Sequence, residues 1–306
     1  MPLTGNILIT GGAGTLGHAI VRQAQTDNWD CTFTIFSRSE LRQAQMRAKY
    51  PQYRYLLGDV RDDRAVEAAV AGHETVIHAA AMKRLPECEA QPGECYQTNV
   101  GGSANVARAC ALHRVKTAIA ISTDKACRSI TAYGASKLLM ESLWRSQPTD
   151  GRTIFTGVRY GNVVASNGSV IPLWRAQHAR GEPLSITSQW MTRFWMSPTE
   201  AVKLIEVAAE GQVAGGFWVP KMGALSIDEL ARIVCPGAET VETGLRSVEK
   251  LHEDLLSDDE PCMLTPTHML IGQGPTGARY SSATCPRLTA DAFRAMLADA
   301  EALEAA

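Results

Sequence analysis

Short apolar runs alternate with amphipathic stretches through the first half of the chain. Runs rich in Ile, Val, Thr and Phe predict strands over residues 7–10, 31–36, 53–57, 75–78, 117–121 and 152–158. Between them, apolar residues recur at helical spacing and predict helices over 15–25, 39–49, 63–71, 92–113 and 131–145, the second capped by Ser39. Parallel neighbours need a long crossover, and a helix supplies it. The alternation therefore predicts an α/β fold, a doubly wound parallel sheet with right-handed crossovers.

After Arg159 the rhythm breaks, and Gly, Pro and Asn become frequent, as in Gly161-Asn162, Asn167-Gly168 and Gly181-Glu182-Pro183. Helices are predicted over 198–209 and 226–234, and short strands near 216–220 and 239–243. Residues 258–286 show no regular period and are expected to be loosely ordered. A terminal helix is predicted over 288–303, with Thr289 as its cap. The expected division is a dinucleotide-binding domain over 1–160, with room for a returning segment from the second half, and a smaller α/β substrate lobe with a C-terminal tail over 161–306.

The first predicted strand runs into Gly11-Gly12-Ala13-Gly14-Thr15-Leu16-Gly17 and then into a helix. Glycines at this spacing let the backbone turn tightly and approach a diphosphate, which the helix N-terminus stabilises. Gly11, Gly14, Thr15, Leu16 and Gly17 are thus candidate cofactor residues on a Rossmann-type domain. The second strand ends at Phe36-Ser37-Arg38 with no acid. A ribose 2′-hydroxyl needs Asp or Glu there, whereas Ser37 and Arg38 suit a 2′-phosphate, so NADP is expected over NAD. Asp59 and Val60 end the third strand, where the adenine would lie. Ala79, Ala80 and Ala81 follow the fourth and leave room for the cofactor. His78 reads as a packed strand residue.

The fifth strand ends at Ser122-Thr123-Asp124-Lys125, and Tyr133-Gly134-Ala135-Ser136-Lys137 follows. Open parallel sheets bind ligands at the carboxyl ends of their strands. Tyr133 and Lys137 lie one helical turn apart on one face. An ammonium beside a phenol is expected to lower the phenol's pKa, so that it takes an alcohol's proton while hydride leaves the same carbon. Asp124 and Lys125 add a second acid and base.

Composition narrows the class. The 306 residues carry a net charge of −2, which argues against a general nucleic-acid surface. No apolar run approaches the roughly 20 residues that span a bilayer. The N-terminus lacks a signal-peptide pattern, so a cytoplasmic protein with reduced thiols is expected. The eight cysteines form no Cys-x-x-Cys pair and no zinc-type spacing, so no metal is predicted.

The motifs FSRSE (36–40), GDVRD (58–62), HAAAMK (78–83), STDKA (122–126), YGASK (133–137), VRYGNVVASNGSVIP (158–172), MTRFWMS (191–197) and EKLHED (249–254) occur in order. Through them the chain resembles the extended short-chain dehydrogenase/reductase superfamily. More closely, over residues 5–260, it resembles short, soluble, carbon-5-inverting UDP-N-acetylglucosamine 4,6-dehydratases of polysaccharide biosynthesis. The resemblance implies that Tyr133, aided by Lys137, deprotonates the hydroxyl at sugar carbon 4 as hydride passes to NADP. Lys125 then takes the carbon-5 proton, Asp124 protonates the hydroxyl leaving carbon 6, and hydride returns to carbon 6. Thr123 would bond the carbon-4 hydroxyl. Related dTDP-glucose dehydratases carry Glu where this chain has Lys125. A lysine base must be neutral, and desolvation with the nearby Lys137 charge is expected to push its pKa down.

The resemblance also implies cofactor contacts from Asn99, Tyr160 and Asn162. It implies substrate contacts from Lys83, Asn162, Val170, Thr187, Met191, Arg193, Arg246 and Glu249, with the arginines on the diphosphate. Two departures touch this set. Arg246-Ser247-Val248-Glu249-Lys250 replaces a common Arg-Pro-Gly-Glu-Lys, and Ser188-Gln189-Trp190 replaces an acidic position. A UDP-sugar epimerase shares the cofactor loop and the Tyr133/Lys137 pair and is the alternative reading; it has no need of Asp124 and Lys125. A catalytically silent NADP-binding regulator would tend to lose Tyr133 or Lys137. Inversion at carbon 5 stays open. A homo-oligomer, dimer or larger, is expected by analogy, pairing through the helices over 92–113 and 131–145.

Overall fold

The computed structural model describes residues 3–148, 152–166, 169–245 and 248–305. Its first half runs β1 (Gly5–Thr10), α1 (Thr15–Thr26), β2 (Cys31–Ser37), α2 (Glu40–Lys49), β3 (Arg54–Leu57), α3 (Asp63–Val70), β4 (Thr75–His78), α4 (Leu85–Ala90), α5 (Pro92–Tyr96), α6 (Gly102–Leu112), β5 (Thr117–Thr123), α7 (Ala132–Arg145) and β6 (Ile154–Tyr160). Then come β7 (Asn162–Val163), α8 (Val170–Ala179), β8 (Leu184–Ile186), β9 (Thr192–Met196), α9 (Pro198–Gly211), β10 (Phe217–Pro220), β11 (Ala224–Ser226), α10 (Ile227–Val234), β12 (Thr240–Glu242), β13 (Asp254–Leu256), β14 (Cys262–Leu264), β15 (His268–Ile271), β16 (Tyr280–Ser281) and α11 (Ala290–Ala305).

The main sheet has nine strands in the order β14-β15-β10-β6-β5-β4-β1-β2-β3. From β3 to β10 every pairing is parallel, and β15 and β14 close that edge antiparallel. The chain winds outward from β1 to β3, then crosses back to β4 on the other side of β1. That reversal opens a crevice at the strand ends. Ile7, Leu8, Ile9, Val76, Ile77, Ala118 and Ile119 are fully buried, as strands covered on both faces require.

A second, smaller core gathers Ile171, Trp174, Leu184, Ile186, Met191, Trp195, Leu230 and Phe293 around α8, α10 and α11. Two capping boxes start its neighbouring helices: Ser197 with Glu200 on α9, and Ser226 with Glu229 on α10. Thr289 accepts the Ala292 N–H at 3.1 Å at the head of α11.

Three expectations change. The stretch over 258–286 is ordered, and β14 and β15 within it extend the main sheet, with Met269, Leu270 and Ile271 buried. Strands this short, between Gly and Pro turns, leave no period to read. The helix expected over 92–113 is split by a π-helical turn at Gln97–Gly101 that buries Thr98, Asn99 and Val100. And β7, β8, β9, β11 and α8 were not predicted, because their pattern belongs to a lobe whose core is assembled from distant segments. Among the described residues no helix is long and apolar enough to cross a membrane.

Candidate active site

Gly11 leaves β1 with φ +69°, and a Cβ there would lie 2.7 Å from the Ala80 backbone. A Cβ on Gly17 would lie 1.8 Å from the Gly12 carbonyl oxygen. Only glycine permits either approach. Gly14 caps α1 without a side-chain hydrogen bond, so the first turn, from Thr15, presents backbone N–H groups toward the crevice. Leu16 packs on the core beneath. Half-buried Ala79, Ala80 and Ala81 line the opposite wall. This cradle fits the diphosphate of a dinucleotide.

At the end of β2, Gln43 donates to Ser37 Oγ at 3.2 Å and to the Ser37 carbonyl at 3.1 Å. Arg38 reaches Asp59 at 3.4 Å with half its side chain exposed. Asp59 also takes Arg61 at 2.7 Å, and Arg61 continues to Glu94 at 2.7 Å. Burial raises the Asp59 pKa, but the bonds and charges of Arg61 and Arg38 outweigh it and the net direction is down. Val60 is buried and its carbonyl accepts from Asn105 at 3.0 Å. Asn99, expected at the cofactor, is instead fully buried: its amide bonds Met82 N and O at 2.8 Å and Ser136 Oγ at 2.9 Å. It fixes the segment after β4 against α7.

β5 delivers the second acid and base into a 3-10 turn at Asp124–Ala126. Asp124 is fully buried; its Oδ1 accepts from Thr123 Oγ1 at 2.9 Å and from Lys125 Nζ at 3.0 Å, while Oδ2 has no hydrogen-bond partner. Thr131 caps α7 by accepting the Gly134 N–H at 2.9 Å. A Cβ on Gly134 would lie 2.1 Å from the Lys125 carbonyl oxygen, so this glycine lets α7 and the Lys125 turn touch. Tyr133 is thereby brought to Thr123 and Asp124, and Tyr160 ends β6 in register with Thr123.

The charge states differ from expectation. Burial pulls the Lys125 pKa down and Arg193 adds to that, but the carboxylates of Asp124 and Glu253 outweigh both, so the net direction is up. Tyr133 is raised rather than lowered, first by burial and then by the Asp124 charge, against a hydrogen bond from Thr123. Lys137 donates to Met140 Sδ at 3.1 Å, and burial lowers its pKa to about 8. His78 bonds Thr10 Oγ1 at 2.7 Å and Ser103 Oγ at 2.8 Å, stacks on Trp144, and is held down at about 3 by burial and the Lys137 charge.

A cavity of about 110 Å³ opens over this cluster. Lys125, Thr131, Asn162, Arg193, Glu249 and Glu253 line it. Arg193, expected on a diphosphate, spends its guanidinium on the carbonyls of Thr192 (2.8 Å), Lys250 (2.9 Å) and Leu251 (3.2 Å). It clamps the loop that carries Glu249, whose carboxylate lies 3.7 Å away. Met191, expected at a uridine, is 2% exposed and packs in the second core. Val170 and Thr187 are half-buried. Lys83 is exposed; desolvation by its surroundings first, then the charge of Arg42 on α2, lowers its pKa. Arg246 lies outside the described residues.

Three acids escaped sequence reasoning. Glu253 faces Lys125 from the loop before β13. Glu141 on α7 and Glu260 grip the fully buried Arg159, each at 2.6 Å. Only the EKLHED motif hinted at the first, and the others carry no signal, because loops distant in sequence supply the partners.

A glycine cradle at a sheet reversal, with a Tyr-x-x-x-Lys helix beside it, defines an extended short-chain dehydrogenase/reductase. The chain belongs to the polysaccharide biosynthesis protein family, which it matches over residues 7–271. It is 40% identical over 261 residues to a UDP-N-acetylglucosamine 4,6-dehydratase (inverting) of Campylobacter jejuni, spanning 83% of this chain and 78% of the relative. A UDP-glucose 4-epimerase of Rickettsia massiliae is 40% identical over 266 residues, with the same shares of both chains. Among solved structures, Pen from Bacillus thuringiensis matches with a TM-score of 0.90 at 30% identity, over 98% of this chain and 99% of that one. A DesIV double mutant (dTDP-glucose 4,6-dehydratase) from Streptomyces venezuelae, with NAD bound, shares the fold at a TM-score of 0.71 and 21% identity, over 80% and 86% of the two chains.

Proposed function

We propose that this protein is an NADP-dependent nucleotide-sugar 4,6-dehydratase, a hydro-lyase of the cytoplasm acting on UDP-N-acetylglucosamine as a homo-oligomer. One observation carries the reading: a fully buried carboxyl, Asp124, 3.0 Å from the half-buried Lys125 amine that lines the cavity, with Tyr133 close to Asp124. An enzyme working at carbon 4 alone has no use for that second pair.

A nicotinamide dinucleotide held by the Gly11–Gly17 turn and Ala79–Ala81 would supply a reversible hydride acceptor for carbons 4 and 6. The chain moves the protons. Tyr133 must enter as the phenolate, against its raised pKa, to remove the proton of the carbon-4 hydroxyl. The resulting ketone acidifies carbon 5, and Lys125 Nζ takes that proton. Asp124 gives a proton to the carbon-6 hydroxyl, which leaves as water. Lys125 must enter this step neutral and Asp124 protonated. That state is the tautomer of the resting ion pair, reached by moving one proton across 3.0 Å. Elimination restores the ion pair, and the Lys125 ammonium is then able to return a proton to carbon 5. The proton held by Tyr133 replaces the one lost with water, so the sum is substrate minus water.

Arg38 and Ser37, with no acid at the end of β2, support NADP; the 2′-phosphate would take Arg38 from Asp59. NADP is expected to bind more tightly than NAD, and Arg38→Ala to erase the difference in a fluorescence titration. Exposed Tyr96, Leu138 and Leu139 support self-association, which light scattering measures. Likeness to an inverting enzyme supports inversion at carbon 5, readable from product proton couplings.

The epimerase-like relatives favour a second reading, a UDP-sugar 4-epimerase. Incubation with UDP-N-acetylglucosamine and mass analysis of the product separates the two. Loss of one water supports the dehydratase; a product of unchanged mass supports the epimerase.

A further inference from the structure

Lys125 has two carboxylates, and only one of them has a role in the reaction above. Asp124 Oδ1 lies 3.0 Å from Nζ on one side and Glu253 Oε1 lies 3.7 Å away on another. Glu253 is 3% exposed and lines the same cavity, and its Oε2 has no hydrogen-bond partner. Its backbone is pinned by Ser282, whose Oγ accepts the Glu253 N–H at 2.9 Å and whose own N–H donates to the Glu253 carbonyl at 2.8 Å. Lys250 Nζ, tied to the Cys127 carbonyl at 2.8 Å, stands 3.6 Å from Glu253 Oε2. The carboxylate is thus held from behind and aimed at the amine.

We propose that Glu253 is a positioning residue for the base, a fixed carboxylate that holds the Lys125 amine over the sugar and steadies the ammonium formed as the carbon-5 proton arrives. This rests on the dehydratase reading. Asp124 gives up a proton during elimination, whereas Glu253 takes no part in the proton transfers, so Lys125 retains a second carboxylate partner throughout. Among the described residues, the other charged or titratable groups facing this cluster are Arg193 from β9, Glu249 and Lys250 from the same loop, and Tyr133 from α7.

The test compares Glu253→Gln, Glu253→Asp and wild type in dehydration of UDP-N-acetylglucosamine across pH. Removing a carboxylate that favours the ammonium lets Lys125 lose its proton sooner. In Glu253→Gln the alkaline limb of the rate profile is expected to fall by about one pH unit or more, with at least a tenfold lower maximum. Glu253→Asp keeps the charge and is expected to keep the limb while losing rate. NADP binding and melting temperature report folding. A lower rate with an unmoved limb in Glu253→Gln overturns the proposal, as does a limb that moves equally in Glu253→Asp. Wild type that releases no water from the substrate overturns the dehydratase reading itself, and this inference with it.

Discussion

In the proposed reaction Lys125 acts as a base in surroundings that charge it, since Asp124 and Glu253 outweigh its burial. The conflict resolves only if the proton moves to Asp124, so the two residues should fail together. Lys125→Ala and Asp124→Asn are each expected to cut dehydration by roughly 100-fold to 10,000-fold, as loss of a general acid or base does, with NADP still bound. In D2O the wild-type product should carry deuterium at carbon 5, and Lys125→Ala should incorporate none there; proton NMR and binding titrations check both. Gly134 is the other residue on which the geometry turns. Glycine there looks like mere helix tolerance, yet a Cβ would collide with the Lys125 carbonyl oxygen at 2.1 Å and Ser129 Oγ at 2.5 Å. Gly134→Ala is expected to cost about 1–3 kcal/mol by thermal melting and to slow elimination more than it weakens cofactor binding.

At the scale of elements, β4 and the π-helical turn hold the floor of the site. His78 is buried and neutral between Thr10 and Ser103, its folded pKa held down at about 3 against the usual 6.5 by burial and the Lys137 charge. The native state binds fewer protons than the unfolded state in that window. Stability is therefore complete above about pH 6.5 and falls as pH drops toward 3, by up to roughly 1.4 kcal/mol per pH unit from this one group. Urea unfolding between pH 7 and pH 4 should show that slope, reduced in His78→Gln. The π-helical turn has a comparable part: it turns Asn99 inward to bond Met82 and Ser136. Its sequence reads as one continuous helix, since the apolar spacing on either side is helical.

Across the whole molecule, segments distant in sequence are joined through charge as well as apolar packing. Arg159 at the end of β6 is fully buried and bonds Glu141, Glu260 and the Leu255 carbonyl. This clasp ties the loops around β13, beside Glu253, to the sheet. Arg159→Met leaves Glu260 without its guanidinium and Glu141 with that of Arg145 alone, and is expected to cost about 3–5 kcal/mol in chemical denaturation. Adding Glu141→Gln and Glu260→Gln should recover part of that loss. α11 makes the second tie, with Phe293 and Leu297 in the small core and Leu303 in the large one.

What sequence alone determined was local. The β1–α1 glycines, the Thr123-Asp124-Lys125 strand end, Tyr133 with Lys137, and the caps of α9, α10 and α11 are written within a few residues of each other, because turn, cap and strand chemistry acts over that range. Tertiary structure decided what depends on distance. It set Glu253 against Lys125, tied Arg193 to the carbonyls of a distant loop, buried Met191 in a second core, and built two short strands onto the sheet. It also reversed the expected direction of the Lys125 and Tyr133 shifts, since a pKa follows from which charges surround a buried group, and those neighbours come from every part of the chain.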